Sequence, residues 1–544
     1  AGGGILSEYD REELERADAK LSPTARETMY QQKFHLYRNL TKPSERLYLS
    51  FAKAGASGEA QNPSYLINEI RKLFPEIPVR DIEKKEQPEE RLEMPRSGEA
   101  LFLEELGKAA EGEIDPLFEE LYRWYAAHPE AGIPAETYRK AAFLRCADGV
   151  IGRSAASALY GDTLKNSATR LEKYAACAFA HFMEFGLQIR ERDQYELKAA
   201  DMGTVMHEAL EKFSKKLQEN GETWKTVTDD TRDRLIEECV EETMADYGNT
   251  IFQSSSRNQY RVIRVKRILK RTVWALQQQI RQGEFEPGEF EVSFSMEDSL
   301  SAINIDLSEH EKMRLRGRID RVDLCETDDK VYVKIIDYKT GNTSLDLVAL
   351  YYGLQLQLAV YLDAAVELEQ KKHPGKQVEP AGVFYYHIDD PMLDQEEDET
   401  DEAWGRRMLK ALRMDGLVNA DRKVVELLDR VLEDGTTSDV IPVGKKKDGS
   451  YTSYSKVASP EQFDVIRTYT RKKVREIGEG IFSGNVKISP YQRDGATACA
   501  YCEYQGICGF DQKIQGYEYR KLKGMDTELL MKAMQEITQS DQKE

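Results

Sequence analysis

The sequence predicts an α/β protein whose core is a mixed sheet flanked by helices. Residues 288–294, 313–324 and 331–338 read as three successive strands, each an apolar-rich run bounded by turn or polar residues. A long apolar helix over 345–368 follows, and then Gly382-Val383-Phe384-Tyr385-Tyr386-His387 reads as another buried strand. A helix over 257–281 precedes the set. Strand–strand–strand–helix–strand with a leading helix is the element order of an α/β core with a mixed sheet.

At 544 residues the chain is too long for one core, and its length suggests roughly two to four domains. Its 77 basic residues face 97 acidic ones, a net charge of −20, with 40% hydrophobic residues. This balance is that of an ordinary soluble protein and argues against a general nucleic-acid coat. A local basic path stays open, because the field near a groove depends on local charge. No apolar run is long enough to span a membrane. The start, Ala1-Gly2-Gly3-Gly4, is neither a signal peptide nor an initiator methionine, so the chain is expected to be a piece of a longer polypeptide. Seven cysteines in this length do not make a secreted disulfide scaffold, and a reducing cytoplasm is the expected location.

In chain order, residues 5–75 read as helix, extended segment and helix, with a strand-like alternation ending at Phe51. Pro, Glu, Lys and Arg dominate 76–96, which reads as a linker. Helical patterns at 100–110, 116–127 and 137–146 complete a connector to residue 167. From Ala168 a helix of small residues carries Cys177. Gly203-x-x-x-His207 then opens an amphipathic helix with His207 in its first turns. Helix 257–281 carries Arg257, Arg261, Arg264, Lys266, Arg267, Lys270 and Arg271 without acidic partners at i±4. Most basic helical faces are merely solvated. On an acidic chain, Arg264, Arg267, Lys270 and Arg271 are nonetheless candidates for tracking DNA phosphates. Residues 390–403 read as an acidic loop and 460–481 as a further helix. Three domains are expected: 1–75, a connector over 76–167, and 168–544.

The chemistry concentrates in Lys334-Ile335-Ile336-Asp337-Tyr338-Lys339-Thr340-Gly341. Asp337 and Lys339 share a strand face, being i and i+2. Burying both charges is costly unless they bind something, which suggests a metal carboxylate beside a lysine that steadies an anion. The plain alternative is a surface salt bridge at the end of an edge strand. The preceding strand carries Gly317-Arg318-Ile319-Asp320, so Asp320 and Asp337 are expected side by side on antiparallel strands, with Gly317 allowing close approach. Two carboxylates and one imidazole make an oxygen-rich site for Mg²⁺ or Mn²⁺. A structural reading pairs Asp320 with Arg318 or Arg321 instead and makes His207 a packed or capping residue.

Gly203-x-x-x-His207, Gly317-x-x-Asp320, Asp337-x-Lys339 and Gln357-x-x-x-Tyr361, in that order, resemble the motif series of the RecB-family nucleases, whose core is restriction-endonuclease-like. The resemblance covers roughly 168–512. It implies His207, Asp320 and Asp337 as metal ligands with the Tyr338 carbonyl, Lys339 as the catalytic lysine, and Gln357 and Tyr361 on the helix lining the DNA side. Cys499-x-x-Cys502-x5-Cys508 has the close spacing of a metal knot, although C-x-x-C is shared by zinc knuckles and redox pairs. The candidates for a fourth thiolate are Cys146, Cys177, Cys239 and Cys325. Cys177 resembles the upstream cysteine of the iron–sulfur members of the same family, with Ala178 where those usually have proline. That resemblance implies a [4Fe–4S] staple on Cys177, Cys499, Cys502 and Cys508, with zinc as the other reading.

The first 75 residues resemble the end of a superfamily 1 helicase, but Lys42-Pro43 stand where that family has Arg-Ala, and no G-x-x-x-x-G-K-[ST] loop occurs. No ATP hydrolysis is expected from this chain. Taken together, nearly the whole chain resembles the C-terminal half of the AddB family of bacterial helicase–nuclease subunits. This implies resection of double-strand DNA ends for recombinational repair beside an AddA-like motor subunit, with cleavage of the 5′-terminated unwound strand. The other readings are a stand-alone CRISPR-associated iron–sulfur exonuclease, a non-catalytic DNA-binding scaffold, and a zinc-stabilised interaction module.

Overall fold

The structure is a computed structural model, and it describes residues 25–55, 59–79, 98–110, 115–144, 149–192, 196–294, 303–308, 311–394 and 399–540, with a few isolated positions besides. The chain divides into two compact units, Ala1–Glu104 with Glu130–Ile133, and Glu105–Pro129 with Pro134–Glu544. Among the described residues no helix is long and apolar enough to cross a membrane.

In the first unit, α1 (Ala25–Thr41) and α2 (Tyr65–Leu73) match the helices expected within 5–75. The Ser64 hydroxyl accepts from the Leu66 amide and so caps α2. The alternating run at 47–51 forms no strand, and Leu47, Tyr48, Leu49 and Phe51 are exposed. Alternation becomes a strand only where a neighbour supplies hydrogen-bond partners, and the described part of this unit offers one isolated bridge, Ala54 to Ala60. Most of the linker expected at 76–96 lies outside the described residues, as do Cys146 and the centre of the 390–403 loop.

The second unit carries the strands β1 (Thr163–Asn166), β2 (Glu286–Phe294), β3 (Asn304–Asp306), β4 (Lys312–Leu315), β5 (Gly317–Glu326), β6 (Lys330–Lys339), β7 (Gln377–His387), β8 (Asp415–Asn419) and β9 (Val457–Ala458). Its main helices are α3 (Ala168–Ala176), α4 (Ala199–Glu219), α5 (Asp229–Asp246), α6 (Ser256–Gln282), α7 (Leu347–Tyr351), α8 (Gln357–Lys372), α9 (Pro460–Phe482) and α10 (Thr527–Ser540). Six strands form one mixed sheet in the order β2-β5-β6-β7-β8-β9. β2, β5 and β6 run antiparallel in turn, and β7 lies parallel to β6 after the α7–α8 crossover. The sheet has a core on each face. Ile336 and Tyr338 pack with α4, α5 and α6, whereas Val333 and Ile335 pack with α8, α9 and α10. A strand buried on both sides reads as a continuous apolar run, as 331–336 does.

Two breaks depart from the sequence reading. The run 313–324 is not one strand: the chain leaves β4, which pairs with β1 and β3 in a small sheet, and enters β5 in the large one. Gly317 stands at that switch, where a Cβ would sit 3.0 Å from the Tyr361 ring and closer still to that of Phe294. Because β1 belongs to this small sheet, the second unit also begins before the expected boundary at 168. The apolar run 345–368 forms two helices instead of one. Gly353 has φ 79°, and a Cβ there would lie 3.1 Å from the Ala175 Cβ, so the chain turns tightly against α3. Gln357 is therefore the first residue of α8.

Candidate active site

Asp337 and Lys339 leave the end of β6 on the face that carries α8, in alternation with Val333 and Ile335. The β5–β6 register pairs Arg321 with Ile336, so the next step sets Asp320 opposite Asp337. β5 is irregular at this point. Ile319 packs in the α8-side core, yet Arg321, two residues on, lies over the rings of Trp224 and Phe290 on the other side. Across from Asp320 on β2, between the pairs Phe290–Arg321 and Val292–Ile319, Glu291 has φ 51°. Where both strands depart from regular pairing, Asp320 and Glu291 converge with His207 of α4. One ligand atom from each lies within 4.8 Å of the others.

Hydrogen bonds fix this geometry. Asp320 Oδ2 accepts from the Tyr338 amide at 2.8 Å and lies 3.4 Å from His207 Nδ1. The His207 ring also stands edge-on to that of Tyr338, with centroids 5.8 Å apart. Gln357 joins the other two residues: its Nε2 donates to Asp337 Oδ1 at 2.8 Å, and its Oε1 accepts from Lys339 Nζ at 3.0 Å. The same Nε2 lies 3.3 Å from the Tyr361 hydroxyl. Lys339 Nζ is 2.6 Å from Asp337 Oδ2, an ion pair without the alignment of a hydrogen bond. The arginines next to Asp320 in sequence are engaged elsewhere. Arg318 pairs with Glu291, and Arg321 pairs with Asp323, which also holds Lys334 at 2.6 Å.

The site is short of positive charge. Burial, and after it the charge of Asp320, pushes the Asp337 carboxyl up to about 6 against the pull of Lys339 and His207. Burial and Asp320 likewise push Glu291 up to about 7, opposed by Arg318. For His207, burial disfavours the charged ring, but Asp320, Asp337 and Glu291 outweigh it and the net shift is upward. Glu291 Oε2 and Asp337 Oδ2 are both buried without a hydrogen-bond donor. Carboxylate oxygens with open lone pairs beside one imidazole nitrogen are a donor set that fits Mg²⁺ or Mn²⁺.

Of the residues expected from sequence, the structure brings together His207, Asp320, Asp337, Lys339, Gln357 and Tyr361. Asp337 stands slightly apart from the tight His207–Glu291–Asp320 group, held by Lys339 and Gln357. Glu291 is the member that sequence reasoning misses. Its signal is a carboxylate in the middle of the strand preceding the Asp320 strand, but Glu289 in the same strand offers an equal claim. The basic helix α6 finds acidic partners after all, on other elements. Lys266 and Lys270 pair with Glu241 and Glu237 of α5, and Arg267 and Arg271 with Asp390 after β7. Arg264 is exposed.

Cys177 ends α3 in an extended conformation, φ −162° and ψ 116°, which breaks the helix expected to continue to 182. Cys177, Cys499, Cys502 and Cys508 line one pocket together with Phe179, Ile488 and Pro490. Burial and the neighbouring thiols raise Cys499 and Cys502. Cys239 and Cys325 are buried in the core on the α4–α6 face instead.

A mixed sheet with two aspartates and a lysine at adjoining strand ends defines a nuclease class: residues 165–509 match the PD-(D/E)XK nuclease superfamily, and the chain belongs to it. Its curated relatives carry a more particular name. The chain is 42% identical over 535 residues to the B subunit of the ATP-dependent helicase/deoxyribonuclease of Lachnoclostridium phytofermentans, covering 97% of this chain and 45% of that protein. Proteins of the same name from Alkaliphilus metalliredigens and Clostridium acetobutylicum are each 34% identical, over 99% and 98% of this chain and 47% and 46% of their own lengths. The chain thus spans about half the length of the curated relatives it matches.

Proposed function

We propose that this chain is the nuclease part of a helicase–nuclease subunit, hydrolysing phosphodiester bonds of DNA unwound by an AddA-like partner and cutting the 5′-terminated strand during end resection. The observation that carries this reading is the Gln357 amide, which holds Asp337 and Lys339 in one geometry beside Asp320. His207, Asp320, Asp337 and Glu291, with the Tyr338 carbonyl, would hold a Mg²⁺ or Mn²⁺ ion. Such an ion supplies polarisation of a phosphoryl oxygen and a water of lowered pKa. Lys339 offsets charge gathering on the phosphoryl oxygens or orients the attacking water. Gln357 keeps the Lys339 ammonium aimed, and Tyr361 braces Gln357 from the next turn of α8. Arg264 and its neighbours on α6 are the proposed contact to backbone phosphates.

Cys177, Cys499, Cys502 and Cys508 are proposed to hold one [4Fe–4S] cluster that staples the start of the nuclease unit to its end. Spacing supports this choice over zinc. Four sulfurs on one zinc ion stand about 3.8 Å apart, given bonds of about 2.3 Å. Among the described residues no three cysteines bring their sulfurs within 4.8 Å of one another, although all four line one pocket.

The test is Mg²⁺- or Mn²⁺-dependent cleavage of single-stranded DNA by this chain. Cleavage that disappears in Asp337→Ala is the expected result. A protein that binds DNA but does not cut it with either metal is a scaffold, and the proposal fails.

A further inference from the structure

We propose that Glu172 is a positioning residue of the nuclease centre, holding the first turn of α8 so that Gln357 meets Asp337 and Lys339; this rests on the hydrolytic reading above. The start of a helix leaves amide N–H groups without intrahelical partners. At α8 the N-cap is Leu356, whose side chain cannot accept a hydrogen bond. Glu172 of α3, far away in sequence, does so instead. Its Oε1 accepts from the Leu356 amide at 2.7 Å and from the Gln357 amide at 3.0 Å.

A serine or aspartate at position 356 would satisfy the same amides locally, for about 1 kcal/mol of stability. The chain spends a buried carboxylate there. Burial pushes that acid up to about 7, the two amides and Lys339 pull it back, and Asp337 raises it further. Glu172 therefore sits within electrostatic reach of both site residues while touching neither. Its lever on them is Gln357, whose main chain it holds and whose side chain bridges them. Misplacing a catalytic group by about 1 Å costs on the order of a hundredfold in rate.

The same helix reaches the cysteine pocket. Cys177 closes α3 five residues after Glu172, and the Arg520 guanidinium donates to the Ala175 and Ala176 carbonyls at that end. Ala175 also meets the turn at Gly353. α3 is thus a strut with the thiol at its end and the carboxylate at its middle, and it touches the α7–α8 turn at two points.

Steady-state cleavage of a single-stranded oligonucleotide with Mg²⁺, by this chain and its variants, tests the proposal. Glu172→Ala is expected to lower kcat by about tenfold or more, with KM within about twofold and only a small change in melting temperature. Glu172→Gln keeps an oxygen for both amides and is expected to recover kcat to within about threefold of the parent. A Glu172→Ala kcat within twofold of the parent overturns the proposal, and so does a Gln variant as slow as Ala. If Glu172→Ala does not fold, Glu172→Asp, one methylene too short to reach both amides, takes its place under the same criteria. Lys339→Ala runs alongside: persistent cleavage in that variant would refute the hydrolytic reading itself, whereas its loss with an unaffected Glu172→Ala refutes this inference alone.

Discussion

A carboxylate at a dry strand end must be held by something other than water, and at Asp337 the holders are an amide and an ammonium. That arrangement was legible in sequence because the spacing i, i+2 on a strand places Asp337 and Lys339 on one face whatever the rest of the fold does. Asp320 was legible for a similar reason, since a short hairpin leaves few registers. Glu291 was not. Its approach to His207 depends on a left-handed φ of 51° and on a face change in β5, neither of which periodicity can announce. Its role has a direct consequence. Glu291→Gln removes a charge but little volume, and it should raise the Mn²⁺ concentration for half-maximal cleavage by about tenfold or more. A metal titration that superimposes on the parent's would show that Glu291 is no ligand but only the partner of Arg318.

At the scale of elements, strands buried on both faces announced themselves as apolar runs, and α4, α6 and α9 fell close to their expected bounds. The failures came at junctions. Gly353 splits an apolar run that hydrophobicity alone continues, and Cys177 ends a helix that small residues favour. Both breaks are set by tertiary contacts, the first with Ala175 and the second at the cysteine pocket. The first break makes Gln357 a helix-start residue and gives Glu172 its two amides. The Glu172 acid lies near 7 when folded, above the ordinary 4.5 of a glutamate, so between those values the folded chain binds the extra proton. Its stabilising contribution is full below the lower value and is lost as pH rises through the upper one. Relative to the parent, Glu172→Gln should therefore gain melting stability from about pH 5 to about pH 8, by on the order of 2–3 kcal/mol, and then level off. A difference that stays flat across that range would mean Glu172 is ionised throughout.

Across the whole molecule, the sheet carries the nuclease residues, and the cysteines connect the beginning of the second unit to its end. Sequence separation hides such a staple. Cys177 and Cys499 are far apart in the chain, and only the resemblance of each segment to known cysteine motifs linked them. Anaerobically purified protein is expected to contain about four irons and four acid-labile sulfides per chain. Cys502→Ser should lose them and melt lower. Zinc in their place, in a colourless protein, would contradict the cluster. The run at 47–51 illustrates the opposite limit: its pattern is that of a strand, but no neighbouring strand is present among the described residues to complete it. The central claim is that Asp320, Asp337 and Lys339 form a hydrolytic centre for DNA. It is tested most directly by Mg²⁺-dependent cleavage of single-stranded DNA with Lys339→Ala. The expected result is a rate at least about a hundredfold below the parent with DNA binding preserved; cleavage near the parent's rate would contradict it.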